Sequence, residues 1–264
     1  MAGTTLYTVN EHIATITLNR PDVHNAFDAG VIAQLTDLFE NAAADETLRA
    51  VVLRGNGKSF CAGGDLNWMR QSAHYSYDEN IADAMRLGAL LKTIYHMPQP
   101  TIALVQGNAF GGGVGLAACC DIVIAEESAQ FCLSEVRVGL IPSIIAPYVV
   151  AGMGLRQARR YFMTAERIDA ATAHRIGFVH EVVPAGGLDA AAEKIITALK
   201  GGAPGAQARG KKLLLHIAGK PIDDAMIQYT SVQIAEARAS DEGKEGLSAF
   251  LGKTEPAWRK PGGK

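Results

Sequence analysis

Short apolar runs alternate with helically spaced ones along most of the chain. Residues 6–9 and 13–18 read as two paired strands turned at Asn10 and Glu11, and 50–54, 101–106, 121–125 and 178–183 are further β-rich runs. Between them, Val31, Leu35, Leu38 and Phe39 share one helical face, and Ile81, Ala84, Leu87, Leu91 and Ile94 recur every three or four residues along a long helix. From about residue 187 the strand signals stop, and 190–199, 206–217, 223–237 and 242–251 all read as helices. The pattern predicts an α/β fold, with a core over residues 1–200 and a helical C-terminal region over 201–264. The apolar residues of that tail need a surface to cover, either the core or a neighbouring subunit.

Composition narrows the partners. The 264 residues are 48% hydrophobic and 20% charged with a net charge of −2, a balance that gives no electrostatic reason to bind nucleic acid or a membrane. The apolar run 144–151 contains Pro147 and is too short to span a bilayer, and residues 1–10 lack the make-up of a secretory signal. Cys61, Cys119, Cys120 and Cys132 lie in apolar or glycine-rich surroundings without a CxxC spacing, which predicts reduced, buried thiols in a cytoplasmic protein.

Several familiar signatures fail on inspection. Gly57-Lys58-Ser59 ends like a phosphate loop, but Val52 stands where its first glycine belongs. The run Gly111–Gly115 lacks the spacing of a dinucleotide fingerprint, and His180-Glu181 lacks the second histidine of a zinc protease, so no metal site is expected. Two loops remain. One strand runs into Gly55-Asn-Gly-Lys-Ser-Phe-Cys-Ala-Gly-Gly-Asp-Leu66, and another into Gly107-Asn-Ala-Phe-Gly-Gly-Gly-Val-Gly-Leu116. Asp65 is a good N-cap for a following helix. A glycine run that opens a helix lets the backbone approach a ligand and present free N–H groups to an anion. Facing each other, two such loops make an oxyanion hole; read alone, they are equally well two tight strand-to-helix turns.

Taken in order, these residues resemble the enoyl-CoA hydratase/isomerase (crotonase) superfamily. The resemblance rests on Phe60-Cys-Ala-Gly-Gly-Asp-Leu66, on Gly107–Gly113 through Asp121, on Leu18-Asn-Arg-Pro-Asp-Val-His-Asn-Ala26, on Leu133–Pro142 and on Glu245-Gly-Leu-Ser-Ala-Phe250. It implies a spiral of ββα units with a helical C-terminal region, assembled as a trimer or a dimer of trimers. It places the oxyanion N–H groups on Ala62 and Gly112 and the main catalytic carboxylate on Glu135. It runs the bound thioester along Ala62, Gly63, Gly64, Asp65 and Leu66, with His24 and Ala26 near the coenzyme A path. Coenzyme A enters as part of an acyl-CoA substrate; no permanently bound cofactor is implied.

Burial beside Phe131, Val136 and Val138 is expected to raise the Glu135 pKa. The second glutamate of typical hydratases falls on Gly115, which holds no proton. That departure leaves two enzymatic readings, an enoyl-CoA hydratase and a Δ3,Δ2-enoyl-CoA isomerase with Glu135 as sole base, beside a thioester-binding homologue with little catalysis. The longer string Gly111–Asp121 with Gln130–Arg137 is similar to a narrower bacterial branch of methylglutaconyl-CoA hydratases, which would make Arg137 the partner of a substrate carboxylate. Ser143 is expected to cap the helix after Pro142 or to bind a water. Arg259 and Lys260 would reach coenzyme A phosphates or simply be solvated, and Trp258 and Phe250 would pack.

Overall fold

The N-terminal runs close into a hairpin, β1 (Thr5–Asn10) antiparallel to β2 (Ile13–Leu18), in a computed structural model that describes residues 3–260. The turn falls on Glu11 (φ 46°) and His12 (φ 68°), one residue later than expected. Two left-handed residues match the twist of the flanking strands in a connection this short. The chain continues through α1 (Ala29–Ala44), β3 (Ala50–Gly55), α2 (Leu66–Ser72), α3 (Tyr77–His96), β4 (Thr101–Val105), β5 (Asn108–Phe110) and α4 (Gly112–Cys119). Next come β6 (Ile122–Glu126), β7 (Gln130–Cys132), α5 (Ala146–Thr164), β8 (Ile168–Asp169), α6 (Ala170–Arg175) and β9 (Glu181–Val183). Four helices close the chain: α7 (Leu188–Gly201), α8 (Pro204–Ile217), α9 (Asp224–Ala239) and α10 (Asp241–Gly252).

Six strands form the large sheet in the order β1-β2-β3-β4-β6-β9, parallel after the hairpin. Alternation sorts their side chains between two cores. Val51, Leu53, Ala103, Val105 and Val123 face the core shared with α1, α3, α4 and α5. Ala50, Val52, Ile102, Leu104 and Ile124 face Leu188, Ala191, Ala192 and Ile196 of α7. Covering both faces is what a parallel sheet requires.

A second, three-stranded sheet (β5-β7-β8) stands beside the first and is continued by the bridges Cys61↔Ala109 and Phe27↔Gly64. Each turn of the chain therefore contributes a long strand, a short extended segment and a helix: β3 leads to 61–64 and α2, β4 to β5 and α4, β6 to β7 and α5. This is the crotonase-type spiral of ββα units. The expected last strand begins only at Glu181, because Phe178 and Val179 bury into the helix-side core instead.

The tail is anchored rather than buried. Arg49 donates to the carbonyls of Leu199, Lys200 and Gly202 at the end of α7 and to that of Trp258, and Lys211 pairs with Asp121 at 2.7 Å. Arg259 donates from Nε to the Gly201 carbonyl at 2.9 Å, so it holds the end of α7, while Lys264 of the same basic stretch lies outside the described residues. Phe250, expected to pack, is 81% exposed, and Leu214, Ile222, Ile227 and Leu251 are exposed with it. Among the described residues, no helix is long and apolar enough to cross a membrane.

Candidate active site

The two glycine loops meet where the small sheet begins. Asn25, left-handed at φ 56° and buried, donates to the carbonyls of Asn56 (2.8 Å) and Ser59 (2.7 Å) and so pins the first loop. The extended stretch that follows bonds alternately to either side. Cys61 N–H donates to Asn108 and Ala62 N–H to His24, both carbonyls, at 3.1 and 3.0 Å. Phe27 N–H donates to the Gly63 carbonyl and Asp65 N–H to that of Phe27, each at 2.9 Å. Gly64 N–H is left with no acceptor among the described residues.

The expected donor at Ala62 is thus engaged, and the free one lies two residues on. Facing it, Gly112 opens α4, and its N–H is one of the orphan donors of a helix start. Glycine is required there by packing: a Cβ on Gly112 would overlap the Phe27 ring, and one on Gly113 would overlap the Cys61 carbonyl.

Glu135 follows β7 at the start of a 3₁₀ turn that ends on Gly139 (φ 75°). Its carboxyl lies over the second loop, since a Cβ placed on Gly111 would sit 3.1 Å from Oε1. Oε2 is buried without a hydrogen-bond partner, and burial, only partly offset by the residue's own backbone N–H, raises the pKa above its ordinary 4.5. Of the three apolar neighbours expected around it, Phe131 is fully buried and Val136 half-buried, whereas Val138 is 62% exposed. Gly64, Gly112 and Glu135 line one cavity of about 270 Å³, whose apolar wall includes Phe27, Trp68, Ile144 and Ile145.

The remaining expected residues divide. Asp65 is 6% exposed and accepts from the backbone of Asn67 and Trp68, while Arg20 grips its Oδ2 at 2.9 Å. Burial alone would raise its pKa, but these donors outweigh it and hold the carboxyl below the usual range. Asp65 is therefore a structural cap, and Asp65→Ala is expected to cost about 2–3 kcal/mol in a denaturant titration, with a smaller loss for Asp65→Asn. Leu66 is 69% exposed, and His24 is exposed with Nδ1 3.1 Å from Ser59 Oγ. Ala26 is buried with its carbonyl held by Arg20 at 2.7 Å.

Ser143 makes no cap on α5, whose N-cap is Ile145; it lines the cavity instead. Arg137 donates to the Ala165 carbonyl at the end of α5 and does not line the cavity. At Gly115 a Cβ would overlap Ile145 Cγ2 and come within 2.8 Å of its Cβ, so Ile145 fills the space of the missing glutamate. The sequence reading missed Asp83, a buried carboxylate of α3 that lines the same cavity; its signal is a spacing of three from Asn80 and four from Leu87. Among the described residues no three His, Cys, Asp or Glu side chains are grouped so as to hold a metal ion. All four cysteines are free and buried, and burial pushes the thiols of Cys61 and Cys120 up to about 12.

Residues 8–261 match the family model described as Enoyl-CoA hydratase/isomerase. The chain belongs to that family. An enoyl-CoA hydratase of Shewanella pealeana has the same fold at TM-score 0.95 and 45% identity, over 97% of this chain and 96% of that one. Pseudomonas aeruginosa AtuE follows at TM-score 0.93 and 37% identity, covering 98% of this chain and all (100%) of that one. The enoyl-CoA hydratase ACTT6 of Alternaria alternata is 34% identical over 247 residues, 92% of this chain and 80% of that protein. As a member of the enoyl-CoA hydratase/isomerase family, the chain combines a family scaffold with a cavity in which one glutamate, Glu135, sits with the free N–H groups of Gly64 and Gly112.

Proposed function

We propose that the protein hydrates a 2-enoyl-CoA thioester, with the Gly64 and Gly112 N–H groups on the thioester oxygen and Glu135 as the proton-transferring group. The observation that carries this reading is a desolvated carboxyl in the same cavity as two unpaired backbone donors. Water adds through oxygen to C3 as the C2=C3 pair moves toward the thioester oxygen. Glu135 takes the proton released by the water, and the enolate collapses by taking a proton from Glu135 at C2. Fixed donors suit the charge that develops on the oxygen, and losing one such donor costs about 3–4 kcal/mol of barrier. Only backbone atoms supply these donors, so the hole is set by the fold and not by side-chain rotamers.

Gly115, sealed by Ile145, favours a second reading. A single carboxylate suffices to lift a proton from C2 of a 3-enoyl-CoA and return it to C4, which is the isomerase reaction. Incubation with crotonyl-CoA and with a 3-enoyl-CoA separates the two by mass: a gain of one water supports the hydratase, whereas conversion of the 3-enoyl-CoA without water gain replaces it with the isomerase. No conversion of either thioester leaves the binding homologue. In both enzyme readings Glu135 must be ionised to start. The expected kcat/KM profile therefore falls on its acid side with a midpoint above the ordinary glutamate value of 4.5.

The acyl group in this reading is uncharged, branched or straight. The ionisable residues lining the cavity, Glu135 and Asp83, are both acidic, and Arg137 is spent on Ala165, so a carboxylated substrate such as 3-methylglutaconyl-CoA meets no free cation there. The exposed apolar side chains of α8–α10 support self-association, in this reading as a trimer or a dimer of trimers with the tail covered by its neighbours.

A further inference from the structure

One wall of the cavity is polar in an unusually one-sided way. Asn80, Asp83, Ala84 and Leu87 recur at i, i+3, i+4 and i+7, so one face of α3 lines the space that also holds Gly112 and Glu135. Asp83 is 8% exposed; Arg86, half in solvent, binds its Oδ1 and balances its charge, and Oδ2 receives no hydrogen bond from the described residues. Asn80 Nδ2 donates to the carbonyls of Tyr75 (3.1 Å) and Ser76 (3.0 Å), which fixes the amide and leaves Oδ1 without a donor. Ser72, on the same wall, gives its hydroxyl hydrogen to the Met69 carbonyl at 3.0 Å. Three side chains thus offer only lone pairs, with their own hydrogens already used.

We infer that this acceptor-only wall reads a hydroxyl group carried on the acyl chain away from the thioester. The inference rests on the enoyl-CoA reading and deepens it. A saturated hydrocarbon end would displace water from the buried Asp83 carboxylate without replacing its hydrogen bond, and a carboxylate would meet lone pairs. A hydroxyl supplies the missing hydrogen without adding charge to a pair that is already neutral. Sites built to hydrogen-bond a substrate hydroxyl discriminate strongly against analogues that lack it.

The test measures kcat/KM on matched pairs, 2-hexenoyl-CoA against 6-hydroxy-2-hexenoyl-CoA and 2-octenoyl-CoA against 8-hydroxy-2-octenoyl-CoA. The hydroxylated member is expected to win at one chain length by about 10- to 100-fold. Asp83→Leu is expected to bring the kcat/KM ratio within each pair to about one, whatever it does to turnover of the unsubstituted member. Asn80→Leu, at an exposed helix position, carries the same expectation if the first variant does not fold. Turnover without preference at either length overturns the inference alone, as does a loss that falls equally on both members of a pair. Absence of turnover on all four thioesters sinks the enoyl-CoA reading and the inference with it.

Discussion

Glu135→Gln is expected to lose about 10²- to 10⁴-fold in kcat on whichever enoyl-CoA the protein converts, with thioester binding by calorimetry little changed. The same variant is expected to be more stable than its parent at neutral pH, by on the order of 1 kcal/mol, or about 2–4 °C in melting temperature. Both effects come from one fact: a carboxyl lines the cavity with one oxygen buried and unpartnered. Its pKa is raised in the folded state, so folding favours the protonated form. The stability linked to that proton is present below the unfolded pKa and is lost as pH rises through the folded one. Glutamine stays neutral throughout, so its advantage should appear above that window and vanish in acid. Turnover within a few-fold of the parent would remove Glu135 from the chemistry. Equal stability at all pH values would mean that the carboxyl is better solvated than its surroundings indicate.

Gly115→Glu, the substitution that would supply the missing hydratase carboxylate, is expected to damage the fold instead of improving the reaction. The new side chain would collide with Ile145, which is 3% exposed, and would carry a charge into a core of Val114, Leu116 and Ala117. Overpacking costs about 1–3 kcal/mol and an unpaired buried charge adds several more, so a melting temperature lower by about 10 °C or more is expected. Ile145→Ala in the same chain removes the colliding atoms and should restore part of the loss, since residues in contact couple. A Gly115→Glu protein that melts with its parent would show that Ile145 swings aside freely. The cavity would then be able to accept a second carboxylate.

Much of the frame was legible because burial imposes period. The β3 and β4 runs are near-continuous apolar stretches, broken only by Arg54 and Thr101, as strands covered on both faces tend to be, and α1 presents its apolar residues at helical spacing. The small sheet was not legible: β5, β7 and β8 span three, three and two residues, too short to carry any alternation. Helix α5 was hidden by Pro147, Gly152 and the left-handed Gly154 (φ 77°) within it. At the site, the glycine loops and Glu135 could be found from residue type and the family resemblance. Which N–H in the first loop is free could not, because the answer depends on pairing with His24 and Phe27, remote segments that only the fold brings alongside. The Asp83 wall was obscured for another reason. The front half of the α3 stripe faces a cavity, so its polar members look like ordinary helix surface.

The short sheet also constrains the order in which function can arise during folding. Its extended members are drawn from residues 27, 61–64, 108–110, 130–132 and 168–169, one from each successive turn of the spiral. Pairings between segments so far apart along the chain must meet the entropy of closing long loops before any hydrogen bond compensates them. The hairpin and individual helices can form locally, whereas the Gly64 and Gly112 donors come together only after the spiral has wound. A partly folded chain would therefore carry its helices and hairpin but not the juxtaposed Gly64 and Gly112 N–H groups, which ties assembly of the candidate site to the final cooperative step.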